Sequence, residues 1–233
     1  TLPPNSEGKN LPAIVMPHGG PSARDEWGFD WLAQYFAHQG YAVLQPNFRG
    51  SAGYGDDWYA ENGFKSWRTS VGDVNDAGKW LVKEGIARSA GLGVVGWSYG
   101  GYAALQAGVL DADLFKAVVA IAPVTDLKML VEQSRFYTNS KLVEEFVGTG
   151  SHVAEGSPLQ QVSHLKAPIL MFSGDLDMNV EISQARAMDK ALKAAAKSSQ
   201  LIEYPGLGHS IDDSAARKDL LGRSLAFLRA NLK

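Results

Sequence analysis

The stretch GLGVVGWSYGGYAALQA, residues 91–107, runs from small and branched apolar residues, through a serine fenced by glycines, into an alanine-rich segment. Its first half has no polar alternation, as expected of a strand buried on both faces of a sheet. The half beyond Ser98 carries good helix formers. Gly96-Trp97-Ser98-Tyr99-Gly100 therefore places the pattern Gly-x-Ser-x-Gly at a strand-to-helix junction. A nucleophilic serine needs that placement, because it sits on a strained turn where neighbouring side chains would collide. The pentapeptide alone arises by chance in many proteins. An ordinary small residue in a tight connection is the competing reading, and the rest of the chain decides between them.

Further apolar runs recur on both sides of this stretch: LPAIVMPH (11–18), YAVLQPNFRG (41–50), FKAVVAIAP (115–123), APILMFSGD (167–175) and QLIEYPG (200–206). Helical periodicity fills most of the gaps. Trp31, Leu32, Tyr35 and Phe36 share one face, as do Val74, Ala77, Trp80 and Leu81, and Leu220, Leu221, Leu225 and Leu228 recur near the end. Strands alternating with helices predict a mostly parallel central sheet with helices on both faces. Residues 127–156 fit this rhythm poorly and read as an insertion that caps the site. The remainder reads as a single domain over 1–233.

Composition narrows the function. Of the 233 residues, 45% are hydrophobic and 20% charged, enough for a full core. A net charge of −3 gives no footprint for nucleic acid or an anionic membrane surface. No apolar run approaches the roughly 20 residues that span a bilayer. Without cysteine there are no disulfides, thiolate metal sites or cysteine nucleophile.

A serine nucleophile needs a base, and the base an orienting acid. In the α/β-hydrolase fold these follow in the order Ser, acid, His, each in a loop after a strand. Asp175-Leu176-Asp177 follows one apolar run and Leu207-Gly208-His209 another. Among the five histidines, His38 lies on an amphipathic helix, His152 and His164 in polar stretches, and His18 precedes the serine. His209 is left as the base. Spacing does not choose between Asp175 and Asp177. The oxyanion of a tetrahedral intermediate needs two N–H donors. One is the amide of Tyr99; the other belongs to His18-Gly19-Gly20-Pro21, with Gly20 preferred and Gly19 the alternative.

Together the strings HGGP (18–21), PNFRGSAGYG (46–55), GWSYGGY (96–102), SPL (157–159), GDLDMNV (174–180) and GLGHS resemble the catalytic domain of prolyl oligopeptidase-family serine peptidases, which include dipeptidyl and acylaminoacyl peptidases. The resemblance covers about residues 11–212, in family order. It implies that the acid is Asp177, in the string G-x-x-D-x-x-V, with Asp175 a structural neighbour. It also implies that Asn179 contacts the substrate backbone and that Arg49 makes structural contacts, while the Tyr99 side chain either lines the pocket for the residue before the scissile bond or simply packs in the core. The expected reaction is hydrolysis of short peptides through an acyl-enzyme, with no metal or organic cofactor. A carboxylesterase with the same triad is the alternative, and a non-catalytic module on the same fold a third reading. Family members carry a β-propeller upstream, so the chain reads as a fragment cut inside an antiparallel hairpin. Such a cut leaves a sheet edge that favours pairing into a homo-oligomer.

Overall fold

The computed structural model describes residues 1–61 and 63–233. Six strands form one sheet: β1 (Leu11–Val15), β2 (Ala42–Leu44), β3 (Ala87–Trp97), β4 (Ala117–Ile121), β5 (Ile169–Gly174) and β6 (Ser199–Tyr204). Their order is β2-β1-β3-β4-β5-β6. Every neighbouring pair is parallel. This is the α/β-hydrolase architecture, with β1 and β3 at the point where the strand order reverses direction. In open parallel sheets ligands gather at the carboxyl ends of such strands. Both HGGP and GWSYG leave the sheet there.

Alternation within the buried strands divides the core in two. Val118 and Ala120 of β4, with Val94, Ile169 and Met171, pack beneath α3 (Trp67–Lys83), α4 (Tyr99–Leu110) and α8 (Ile182–Ala194). Val119 and Ile121, with Ile14, Val95 and Phe172, face α1 (Trp31–His38) and α9 (Ser214–Asn231). Three helix starts are fixed by aspartates accepting a backbone N–H: Asp30 from Ala33, Asp126 from Met129 and Asp213 from Ala216. At the β2 edge, Thr1 and Val43 exchange two hydrogen bonds at 2.8 Å.

Several sequence expectations need correction. The run 41–50 yields only a three-residue strand, because Pro46 lacks the N–H that a ladder requires. Strand β3 begins earlier than its apolar run, at Ala87, with a register irregularity against β1. Trp80 does not share the buried face of α3. It is 47% exposed, while Trp67, Val71, Val74 and Leu81 make that face. Two short turns were not foreseen, α2 (Asp56–Tyr59) and a 3-10 turn at Phe64–Ser66.

The segment 127–156 forms three helices, α5 (Leu127–Ser134), α6 (Ser140–Val147) and α7 (His152–Glu155). Its root is held by Gln184 of α8, which is fully buried. The Gln184 side-chain oxygen accepts from the Thr125 and Asp126 amides at 2.9 and 2.8 Å, and its amide nitrogen donates to the Asp126 carbonyl at 3.1 Å. A buried amide with both ends bonded fixes orientation as well as position.

Candidate active site

Ser98 ends the sheet side of the β3–α4 junction with φ 59° and ψ −121°, a conformation that non-glycine residues rarely adopt. The flanking glycines allow it. A Cβ at Gly96 would stand 2.0 Å from the Gly100 carbonyl oxygen, and one at Gly100 would stand 2.1 Å from that of Pro17. No side chain fits at either position. The elbow therefore presses onto the loop after β1, and the Gly19 side of that loop abuts Ser98. The Ser98 amide donates to the Ile121 carbonyl at 2.8 Å, which ties the turn to β4.

The two aspartates after β5 separate by their partners. Asp177 is buried, and its Oδ2 accepts the Nδ1–H of His209 at 2.7 Å. Its other oxygen accepts the Asn179 and Val180 amides, both at 2.9 Å. Three donors on one buried carboxylate hold it in a single orientation. With Nδ1 donating, the Nε2 of a neutral His209 carries a lone pair. Asp175 is exposed. Its Oδ1 accepts the Gly206 amide at 2.6 Å and makes no bond to His209.

Trp97 joins the serine and histidine sides. Its indole N–H donates to the His209 carbonyl at 3.0 Å, and its ring meets Trp31 edge-on at 6.3 Å. Nothing in the sequence marked this residue beyond its place before Ser98.

Gly20, Tyr99 and Asn179 come together around one cavity of about 320 Å³, with Phe64, Val124, Leu130, Leu142 and Phe146 as its apolar walls. The amide of Tyr99 opens α4, where the first N–H groups have no carbonyl within the helix to bond. The Tyr99 ring is buried against Phe48, Phe64 and Tyr102, and its hydroxyl pairs with Ser70 at 3.0 Å. Burial pushes its phenol up to about 12, partly offset by the Ser70 hydrogen bond, so the wall stays neutral. The pocket walls from α6 were not legible as such, because nothing in their sequence says which way segment 127–156 folds.

Other singled-out residues lie in supporting contacts. Arg49 forks onto Asp73 through Nε and a terminal nitrogen at 2.9 and 2.7 Å. His18 bonds the Gly19 carbonyl and the Ser51 hydroxyl, each at 2.7 Å, and stacks on Phe48. Burial holds its imidazole below the ordinary histidine value. His38 is exposed on α1, and His152 bonds the Val147 carbonyl within the insertion.

Comparison with known proteins gives a consistent answer. The family model described as "Prolyl oligopeptidase family" matches residues 27–233. Dipeptidyl aminopeptidase BIII of Pseudoxanthomonas mexicana is 31% identical over 225 residues, covering 90% of this chain and 32% of the relative. The acylamino-acid-releasing enzyme of Rattus norvegicus is 26% identical, covering 95% of this chain and 32% of its own length. A puromycin-hydrolyzing peptidase of Mycobacterium tuberculosis superposes with a TM-score of 0.90 at 28% identity, over 99% of this chain and 36% of that one. An acylaminoacyl peptidase in complex with Z-Gly-Gly-Phe-chloromethyl ketone superposes at 0.89 with 25% identity, over 100% of this chain and 39% of that one. The chain thus spans about a third of the length of the curated relatives it matches.

Proposed function

The chain belongs to the prolyl oligopeptidase family, and on that premise we propose that it is the catalytic domain of a serine peptidase that hydrolyses short peptides, of the dipeptidyl- or acylaminoacyl-peptidase type. Ser98 Oγ attacks the scissile carbonyl while His209 Nε2 takes its proton. Asp177 holds the ring in the tautomer that leaves Nε2 free and stabilises the imidazolium. The amides of Tyr99 and Gly20 receive the oxyanion. The imidazolium then protonates the leaving amine, the Ser98 ester forms, and water admitted by the same base releases the acid.

The observation that carries this reading is the 2.7 Å bond from His209 to a buried, triply bonded Asp177. The strained turn at Ser98 supports the same role. A turn with φ 59° needs compensation elsewhere in the structure, and a nucleophile raised for attack gives a reason for it. Asn179 is suited to hold the substrate backbone, since it is exposed at the cavity rim two residues beyond Asp177.

The cavity favours a residue with a long apolar body before the scissile bond. Most of its lining is apolar, and four of those side chains, Leu130, Leu142, Val143 and Phe146, come from 127–156, which acts as a cap over the site. The related acylaminoacyl peptidase held with a phenylalanyl chloromethyl ketone is consistent with that preference.

The test compares kcat/KM for aminoacyl and N-acyl-aminoacyl p-nitroanilides with that for a p-nitrophenyl ester, in the protein and in Ser98→Ala. Amide cleavage that disappears in Ser98→Ala supports the peptidase. Ester turnover without any amide cleavage would replace it by a carboxylesterase.

A further inference from the structure

A second hollow, of about 520 Å³, adjoins the apolar cavity and shares Leu130, Asn139, Val143 and Asn179 with it. Its character is different. Gln133, Ser134, Tyr137, Thr138 and Asn139 give it a polar wall, Glu181 is its one ionisable carboxylate, and no Lys, Arg or His lines it.

Glu181 has no evident structural use. It precedes α8, yet its side chain makes no capping hydrogen bond. Among the described residues its carboxylate accepts one side-chain hydrogen bond, a long one from the Ser183 hydroxyl at 3.4 Å. It pairs with no cation among the described residues. Arg186, which shares a neighbouring hollow with it, is committed to Glu203 through two bonds at 2.9 and 2.6 Å. The backbone around it is firmly placed: Gln133 of α5 donates to Ser183 at 2.7 Å, and Gln184 donates to Gln133 at 3.1 Å. A half-buried carboxylate without a counter-ion attracts a cation from solution more strongly than a fully solvated one does.

From this we propose that Glu181 recognises a positively charged group on the substrate, while the apolar body of that substrate fills the adjoining cavity. The proposal rests on the peptidase reading for the direction in which the substrate lies. Two groups of one chemistry fit: the ammonium tip of a lysine before the scissile bond, whose methylene stem suits apolar walls, or the free α-ammonium of a peptide that begins one residue earlier. Either would donate to Glu181, with the side-chain oxygens of Gln133, Thr138 or Asn139 completing its shell.

The test reads binding rather than turnover, so it does not depend on the catalytic assignment. Calorimetry on Ser98→Ala protein compares three peptide amides: Ac-Ala-norleucine, which is uncharged, Ac-Ala-Lys, charged at the side chain only, and Ala-norleucine, charged at the terminus only. At least one charged peptide is expected to bind about tenfold tighter than the uncharged one, as a charge-assisted hydrogen bond allows. The one that does identifies the source of the charge. Glu181→Gln should bring the three affinities within about threefold of each other, and Glu181→Lys should place the charged peptides below the uncharged one. Equal affinities in the Ser98→Ala protein would overturn the proposal, and so would a preference that survives Glu181→Gln. A peptidase reading that fails shows up separately, as absence of amide cleavage by the unmutated protein.

Discussion

Trp97, one residue before Ser98, donates its indole N–H to the main-chain carbonyl of His209 at 3.0 Å. The strand that carries the serine is thereby bonded to the loop that carries the histidine. Asp177 fixes the ring of His209 from the far side. His209 is held at its main-chain carbonyl by one element and at its Nδ1 by another, which would keep the proposed base in one orientation.

Trp97→Phe keeps the ring and removes the donor. It should destabilise the fold by about 1 kcal/mol. It should also lower kcat roughly tenfold with little change in KM, because misorienting the base affects the transition state and not ground-state binding. Steady-state kinetics with urea unfolding checks both. An unchanged kcat would mean that Asp177 alone orients the ring.

Ser98→Ala should lower kcat/KM by roughly 10⁴-fold or more and leave only binding and oxyanion stabilisation. Labelling by a peptidyl phosphonate should vanish with it, as read by intact-mass spectrometry. A phosphonate adduct on another residue would move the nucleophile.

The two aspartates should part company. Asp177→Asn is expected to lower kcat by about 10³–10⁴-fold, because an amide no longer enforces the tautomer. Asp175→Asn keeps an oxygen that can still accept from the Gly206 amide, so kcat should stay within about twofold and stability should fall by about 1 kcal/mol or less. The reverse pattern in well-folded proteins would exchange their roles.

The apolar cavity should be sensitive to volume. Val124→Phe puts an aromatic ring into about 320 Å³ of space beside Tyr99. KM for substrates with phenylalanine or leucine before the scissile bond should rise about tenfold, while alanine substrates change little. A uniform effect on all substrates would place substrate side chains elsewhere.

Asp25 gives a pH signature in stability. Burial raises its carboxyl to about 6, opposed by the hydrogen bond from Gln45, and its second oxygen has no partner. Since the folded value lies above the unfolded one, the native state binds the proton more tightly. Asp25 therefore stabilises the fold at acid pH, and that contribution is lost as pH rises from about 4 to about 6. The group is partly open to water, so the effect is much smaller than full linkage would give. Asp25→Asn should flatten Tm across this window and raise it at neutral pH. An unaltered pH profile in a thermal melt would assign the dependence to other carboxylates.

Much of this site could be read in the chain before any coordinate. Gly96 and Gly100 announced a turn that tolerates no side chain, and the loops after two apolar runs supplied His209 and the aspartates. Parallel strands buried on both faces leave such runs in plain view. The preference for Asp177 over Asp175 came from resemblance; in the structure Asp177 is buried with three donors and Asp175 lies exposed on a turn. What stayed illegible was set by tertiary contact. Trp80 has the same side chain whether it faces the core or water, and only the packing of α3 decides. Pro46 shortened a strand that its neighbours favoured. Gln184, buried between two segments far apart in sequence, gave no local sign of its role.

The helices of 127–156 supply a large part of the apolar cavity. Leu130, Asn139, Leu142, Val143 and Phe146 all come from a single continuous stretch, whereas the serine, aspartate, histidine and Gly20 come from four other loops. On the proposed function, a large share of the selectivity would come from a stretch that carries none of the proposed catalytic groups. Substitutions within that stretch would then redraw which peptides are accepted while the proposed Ser98, Asp177 and His209 stay in place.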